Sequence, residues 1–305
     1  MDTRSRYVFI VLASAVVVAI ESVAVEGAIK TAHIDSFVVS AVPTVAGGLM
    51  LMAVFGRRSV RFVKGLDVRG WSYMFVLCAL VATGVFLWFD AVGRIGASKE
   101  AILGGGSSEV LFIALLSVLF LRERMNLWEV SGSVLVLMGV FLVLANRDSI
   151  SPEMGLGEVE AILSSLLLGA SVVATAVLLK THELGPLSGL ELFLSGMLLL
   201  AFGVPAGLVS LPSATGMAIL VLIGVLPCIG LLAYNSGLPK IGAPLTAVLF
   251  ALNGVMTMGV QLLVLAIFPG ASVQLPSSVA LALVGGGVAF AGVYLLNHRP
   301  SVRAR

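Results

Sequence analysis

Ten apolar stretches follow one another along the chain, at approximately 7–29, 35–55, 71–91, 95–120, 127–145, 157–180, 187–209, 216–236, 243–268 and 278–297. Most approach the roughly 20 residues that an α-helix needs to cross a hydrocarbon core. The gaps are short, and proline or glycine marks several of them, as at Gly185-Pro186, Leu211-Pro212 and Phe268-Pro269-Gly270. At membrane depth no water satisfies the backbone, so each stretch must do so internally, and a helix does. The period-2 alternation of a barrel wall is missing. The pattern therefore predicts an all-α transmembrane fold of ten helices. The first stretch follows a basic segment, Met1 to Arg6, in the manner of a signal peptide. It is too long for a signal core and contains Glu21, so it reads as a retained first span.

Composition agrees. Of 305 residues, 59% are hydrophobic and 11% charged, against roughly 25% charged in soluble domains, and the mean hydropathy is +1.12. So few charges cannot cover a soluble protein of this size. Cys78 and Cys228 lie inside apolar stretches and read as buried thiols. His33, His182 and His298 fall in turns or the tail, so no metal or other cofactor is expected. No Gly-Lys-Ser/Thr phosphate loop is present, which excludes a built-in ATPase, and no nucleic-acid partner is expected.

The placement of charge says more than its sum. With the N-terminus inside, fourteen of the 18 Lys and Arg residues fall on the inner side, and four (Lys30, Arg94, Lys99 and Arg147) fall outside. By the positive-inside rule both termini are cytoplasmic, and the acidic loop from Asp148 to Glu160 is external. The expected location is the plasma membrane.

The chain also repeats itself weakly. Gly93-Arg94-Ile95-Gly96-Ala97-Ser98 matches Pro239-Lys240-Ile241-Gly242-Ala243-Pro244 at an offset of 146. Lys30-Thr31 pairs with Lys180-Thr181, and Gly139-Val140 with Gly292-Val293, in the same order. These matches predict two five-helix repeats, 1–148 and 149–305. Five is odd, so the second repeat crosses the membrane in the opposite sense. Secondary transporters built this way hold substrate near the midplane, between the halves.

Further residues carry a family likeness. Leu87-Trp88-Phe89-Asp90-Ala91 runs through Gly96-Ala97-Ser98 into a fourth helix that closes on Phe120-Leu121-Arg122-Glu123-Arg124-Met125. In these segments the chain resembles the drug/metabolite transporter superfamily, in its ten-helix EamA-type branch. The closing segment is similar to that branch's Gly-Glu-Arg turn, with Arg122 in place of the glycine. Val110 and Gly254 stand where the family often has proline, and the second half lacks the Glu turn. The resemblance implies a secondary transporter or exporter of a small metabolite, such as an amino acid or organic cation. It also implies a cavity lined by helices four and nine.

An ionisable group at membrane depth is a functional candidate by default. Five glutamates qualify. At 1.5 Å per residue, Glu21 lies about 21 Å into helix one, and Glu109 about 18 Å into helix four. Glu26, Glu100 and Glu191 fall within a turn or two of an interface, where snorkelling or local pairing (Glu26 with Lys30) is the expectation. Glu109 follows the small residues Gly104 to Ser108, which leave room for water or substrate. Asn253 reaches the same level on helix nine, opposite Ser107 at the offset of 146. Glu21 resembles the membrane-embedded glutamate of the four-helix relatives in that superfamily. Trp88 and Tyr234, also 146 apart, sit near opposite interfaces, as belt anchors or cavity gates. The candidate substrate- or proton-binding set is thus Glu109, Asn253, Glu21, Ser107, Trp88 and Tyr234.

The alternatives are a membrane-embedded enzyme using the two deep carboxylates, and a channel-like or scaffold component. An enzyme would need a base and nucleophile at shared depth, and a channel a polar stripe on several helices; neither pattern is evident. The expected partners are a small-molecule substrate and the lipid bilayer. The expected state is a monomer, with a homodimer as the alternative.

Overall fold

The computed structural model describes residues 3–116, 119–120, 127–144, 155–207, 210–273, 275 and 279–297. Among them every regular element is helical. In chain order they are α1 (Thr3–Lys30), α2 (Ser36–Phe55), α3 (Arg57–Gly65), α4 (Val68–Ile95), α5 (Ala97–Ala101), a π-helical stretch (Ile102–Ser108), α6 (Glu109–Leu116), α7 (Leu127–Leu144), α8 (Leu156–Leu178), α9 (Leu184–Gly203), α10 (Ala214–Ile223), α11 (Val225–Ile241), α12 (Ala243–Phe250), α13 (Asn253–Ile267) and α14 (Val279–Asn297). Helix therefore occupies each of the ten apolar stretches. Among the described residues, seven helices are long and apolar enough to cross a membrane, counting α10–α11 and α12–α13 as single spans.

Local chemistry sets the boundaries. Asp35 caps α2 by accepting the Phe37 amide at 2.8 Å, and Asp67 caps α4 through the Gly70 amide, also at 2.8 Å. Gly96 and Gly242 each take φ 84° and ψ 154° between two helices, a region open in practice only to glycine. The Ile-Gly-Ala match at an offset of 146 is thus the same hinge used twice.

Two features differ from expectation. Helix α3 falls in Arg57-Arg58-Ser59-Val60-Arg61-Phe62-Val63-Lys64-Gly65, read from sequence only as a loop. Its charges mask a helical period. Phe62 and Val63 pack toward Met74, Leu77 and Leu187, while Arg57, Arg58, Arg61 and Lys64 are exposed. The fourth stretch, expected to be continuous, is instead α5, the π-helical stretch and α6. Gly104, Gly105 and Gly106 are poor helix formers, and Gly104 has no room for a side chain, because a Cβ there would strike the Glu100 carboxylate.

Glycine contacts dictate how the helices pair. Where α2 crosses α9, Gly48 lies against the Phe193 backbone, and a Cβ at Gly196 would come within 2.7 Å of the Val45 amide nitrogen. Where α7 crosses α14, Gly139 abuts Ala289, and a Cβ at Gly292 would come within 2.7 Å of the Gly132 carbonyl oxygen. Gly84 on α4 faces Leu168 on α8, while Gly230 on α11 faces Val18 on α1. These crossings leave a space in the middle.

Candidate functional site

That central space is a cavity whose empty volume, its open mouth included, is about 1000 Å³. Helices α1, α2, α4, α8, α9 and α11 wall it, together with the broken fourth stretch and the α12–α13 junction. Five of the six candidate residues line it: Glu21, Trp88, Glu109, Tyr234 and Asn253. The side chain of Ser107 lies outside the described residues.

Glu109 and Asn253 come together. A Cβ placed at Gly105 would lie 3.8 Å from Asn253 Nδ2 and 3.9 Å from Glu109 Oε2, so the bare glycine is what the two side chains share. Asn253 Oδ1 also accepts from the Thr257 hydroxyl at 3.1 Å. Both residues are buried, at 8% exposure for Glu109 and 2% for Asn253.

The aromatic pair departs from a belt at opposite interfaces. Trp88 and Tyr234 both reach the cavity. Trp88 Nε1 donates to Glu100 Oε2 at 2.6 Å. Tyr234 packs edge-on against Phe250, its hydroxyl buried without a hydrogen-bond partner.

Two glutamates also leave the place expected for them. Glu100 and Glu191 do not snorkel to an interface: each is 2% exposed, and both line the cavity. Depth counted from the edge of an apolar stretch assumes that the helix begins at the membrane surface. Here Ala97 and Ser98 at the start of α5, and Gly185 to Leu190 near the start of α9, are already buried. Thr175 Oγ1 donates to Glu191 Oε1 at 3.4 Å, and Glu191 Oε2 is buried without a partner. Glu26 does pair with Lys30, at 3.1 Å, and its Oε2 also accepts Gln261 Nε2 at 2.9 Å.

That pairing belongs to a polar network at one end of the molecule. Ser98 donates to Gln261, linking α5 to α13 and through Glu26 to α1. Lys99 meets Glu158 at 2.6 Å, and Arg94 meets Asp90 at 2.8 Å and Glu160 at 3.0 Å. Ser36 donates to Asp90 at 2.6 Å, bringing in α2. Helices that wall the cavity are thus also tied together beyond it, through residues that precede Glu100 along the chain. At the opposite end Arg57, Arg58, Arg61, Lys64, Lys180 and Lys240 are exposed. Among the described residues no three His, Cys, Asp or Glu side chains gather as a metal site would need.

Comparison with known proteins speaks to fold and family. No curated protein matches the chain. A solved structure described only as "Crystal structure of protein" aligns with a TM-score of 0.69, over 97% of this chain and 98% of its own, at 14% identity. At that identity the likeness concerns fold alone. The EamA-like transporter family model matches residues 5–145. This segment, which carries Glu21, Trp88, Glu100 and Glu109, is similar to the EamA-like transporter family.

Proposed function

We propose that the protein is a secondary transporter of a small metabolite, working by alternating access between two inverted five-helix repeats, 1–148 and 149–305. The observation that carries this is the cavity, lined from both halves and backed at one end by an ionic network. Midplane sites between repeats are typical of such transporters. The helix pairing supports the repeat. An exchange of halves turns the α1–α11 crossing into α8–α4 and returns α2–α9 and α7–α14 to themselves, with glycine contacts kept (Gly84 with Gly230, Gly139 with Gly292). The hinges at Gly96 and Gly242 have the same backbone angles. In this reading there are ten spans in the plasma membrane, both termini are cytoplasmic, and the network closes the outer side.

Reporter fusions test the topology: one at Asp148 should read external and one at Arg305 cytoplasmic, and a shared side for both would refute the ten-span count. The outer seal has its own test. Arg94 is 47% exposed, so its pair with Glu160, the one that joins α4 to α8, contributes up to ~1 kcal/mol. Arg94→Ala should therefore raise the open population about fivefold. The readout is labelling of Ser165→Cys, in a background lacking Cys78 and Cys228, by an impermeant thiol reagent added outside. An unchanged rate would argue against the seal. Transport itself is tested by solute exchange in proteoliposomes.

A further inference from the structure

The charge of the cavity is one-sided. Four carboxyl groups enter it, from Glu21, Glu100, Glu109 and Glu191, while no Lys, Arg or His lines it among the described residues. Glu100 is held by Trp88. Glu191 Oε2 and the Tyr234 hydroxyl are buried in the wall without a partner, on residues 2% and 5% exposed. A buried polar atom left unpaired costs about 1–3 kcal/mol. A carboxylate oxygen only accepts, so what Glu191 Oε2 lacks is a donor. Asn235 donates one amide N–H to Ser188 Oγ at 3.0 Å and also lies close enough to interact with the Glu191 carboxyl.

An acidic ligand would find no basic side chain among the described residues of the wall. Besides a basic side chain, the usual cradle for an anion at membrane depth is an open helix N-terminus. The α12–α13 break comes closest, and four of its amides are used. Ala251 N donates to Ala247 O at 2.9 Å, Leu252 N to Leu249 O at 3.3 Å, Gly254 N to Ala251 O at 3.4 Å and Met256 N to Leu252 O at 3.0 Å. Apart from hydroxyl and amide groups such as those of Thr44, Ser164, Ser165 and Asn253, the rest of the wall is mainly apolar and aromatic, with Val81, Val85, Leu168 and Phe250, a surface that suits a hydrocarbon body and the π-face attraction of a cation.

We propose that the cavity binds a small protonated amine with an apolar body and no acidic group. Glu191 anchors its ammonium N–H groups, and the Tyr234 hydroxyl is a second acceptor on the wall. The inference deepens the transporter reading and rests on it for the meaning of the binding, though not for the binding itself.

Four ligands sharing one phenyl ring test it by thermal unfolding of the detergent-purified full chain: phenethylammonium, its N-trimethyl derivative, 3-phenylpropionate and phenylalanine. Phenethylammonium should raise the melting temperature through linkage. The trimethyl derivative, charged but without N–H, should raise it less, and the anion and the zwitterion not at all. Tyr234→Phe removes a hydroxyl that has no protein partner, so the fold survives, and amine affinity should fall about fivefold. Glu191→Gln should weaken it at least about tenfold. The proposal is overturned if the amine gives no shift, if any of the other three ligands shifts as much, or if both variants bind the amine as the parent does. Exchange assays in proteoliposomes separate the two ideas. An amine that binds yet never crosses defeats transport and leaves the site. A neutral or acidic solute that crosses while the amine fails to bind defeats the site and leaves transport.

Discussion

Gly48→Leu should prevent the bundle from assembling in its present form. A Cβ at Gly48 would fall on the backbone nitrogen and Cα of Phe193, so the obstacle is main chain and not a side chain that can rotate away. On the other side of the same crossing, Gly196 sits against the Val45 amide, so α9 cannot slide toward α2 to compensate. Overpacking ordinarily costs 1–3 kcal/mol, more when backbone must move, and about 3 kcal/mol or more is expected here. In membranes, close packing of small residues is a main source of helix association. Gly259→Leu is the control: nothing lies within 4 Å of its Cβ position on α13, and replacing a helical glycine should be neutral or stabilising by up to about 1 kcal/mol. Thermal unfolding in detergent measures both. Equal melting temperatures for the two variants would show that the α2–α9 contact does not hold the fold.

The crossing also shows what was legible beforehand. Apolar length located helix in all ten stretches, because lipid demands long continuous runs, and the charge pattern drew a consistent topology from them. The hinge at Gly96 and Gly242 was visible as a six-residue match, because a backbone conformation open only to glycine forces glycine to recur. Pairing was not legible. Nothing in the spacing of Gly48 and Gly196 says that they meet, since glycine also serves turns and lipid-facing positions. Helix α3 was hidden because four basic residues suppress its apolar signal.

The site divides along the same line. Glu109 and Asn253 were legible as residues of the cavity wall, because depth along a helix is nearly proportional to residue number and both lie in mid-span. Glu100 and Glu191 were missed because depth was counted from the ends of their stretches. The sunken starts of α5 and α9 carry both carboxyls inward. A signal was present: Gly104-Gly105-Gly106 follows Glu100 by one turn and leaves its side chain room to lie along its own helix. Leu121 to Met125, most of the closing segment that carries part of the family likeness, lie outside the described residues.

Two glutamates separated by function give the last expectation, and the larger functional effect. Glu109→Gln should reduce transport at least about tenfold per folded molecule, the consequence of losing one charge-assisted contact, while stability stays within about 1 kcal/mol of the parent. Glu109 carries no ion pair to lose, its wall includes the bare Gly105, and an amide of the same size fits where the carboxyl was. Glu26→Gln should do the opposite. Glu26 is fully buried, and its partner Lys30 has a side chain only 18% exposed. Removing one member of a buried pair costs 3–5 kcal/mol when the survivor is left charged and dry. Lys30 retains some water, so ~2 kcal/mol is the expected loss. Glu26 is absent from the cavity wall, so the molecules that still fold should transport normally. Measuring melting temperature and proteoliposome exchange on both variants completes the comparison. If Glu109→Gln transports like the parent, the carboxyl is a structural group and the central site loses its main candidate. If Glu26→Gln folds normally but cannot transport, the seal at Lys30 takes part in the cycle directly and is more than a support for it.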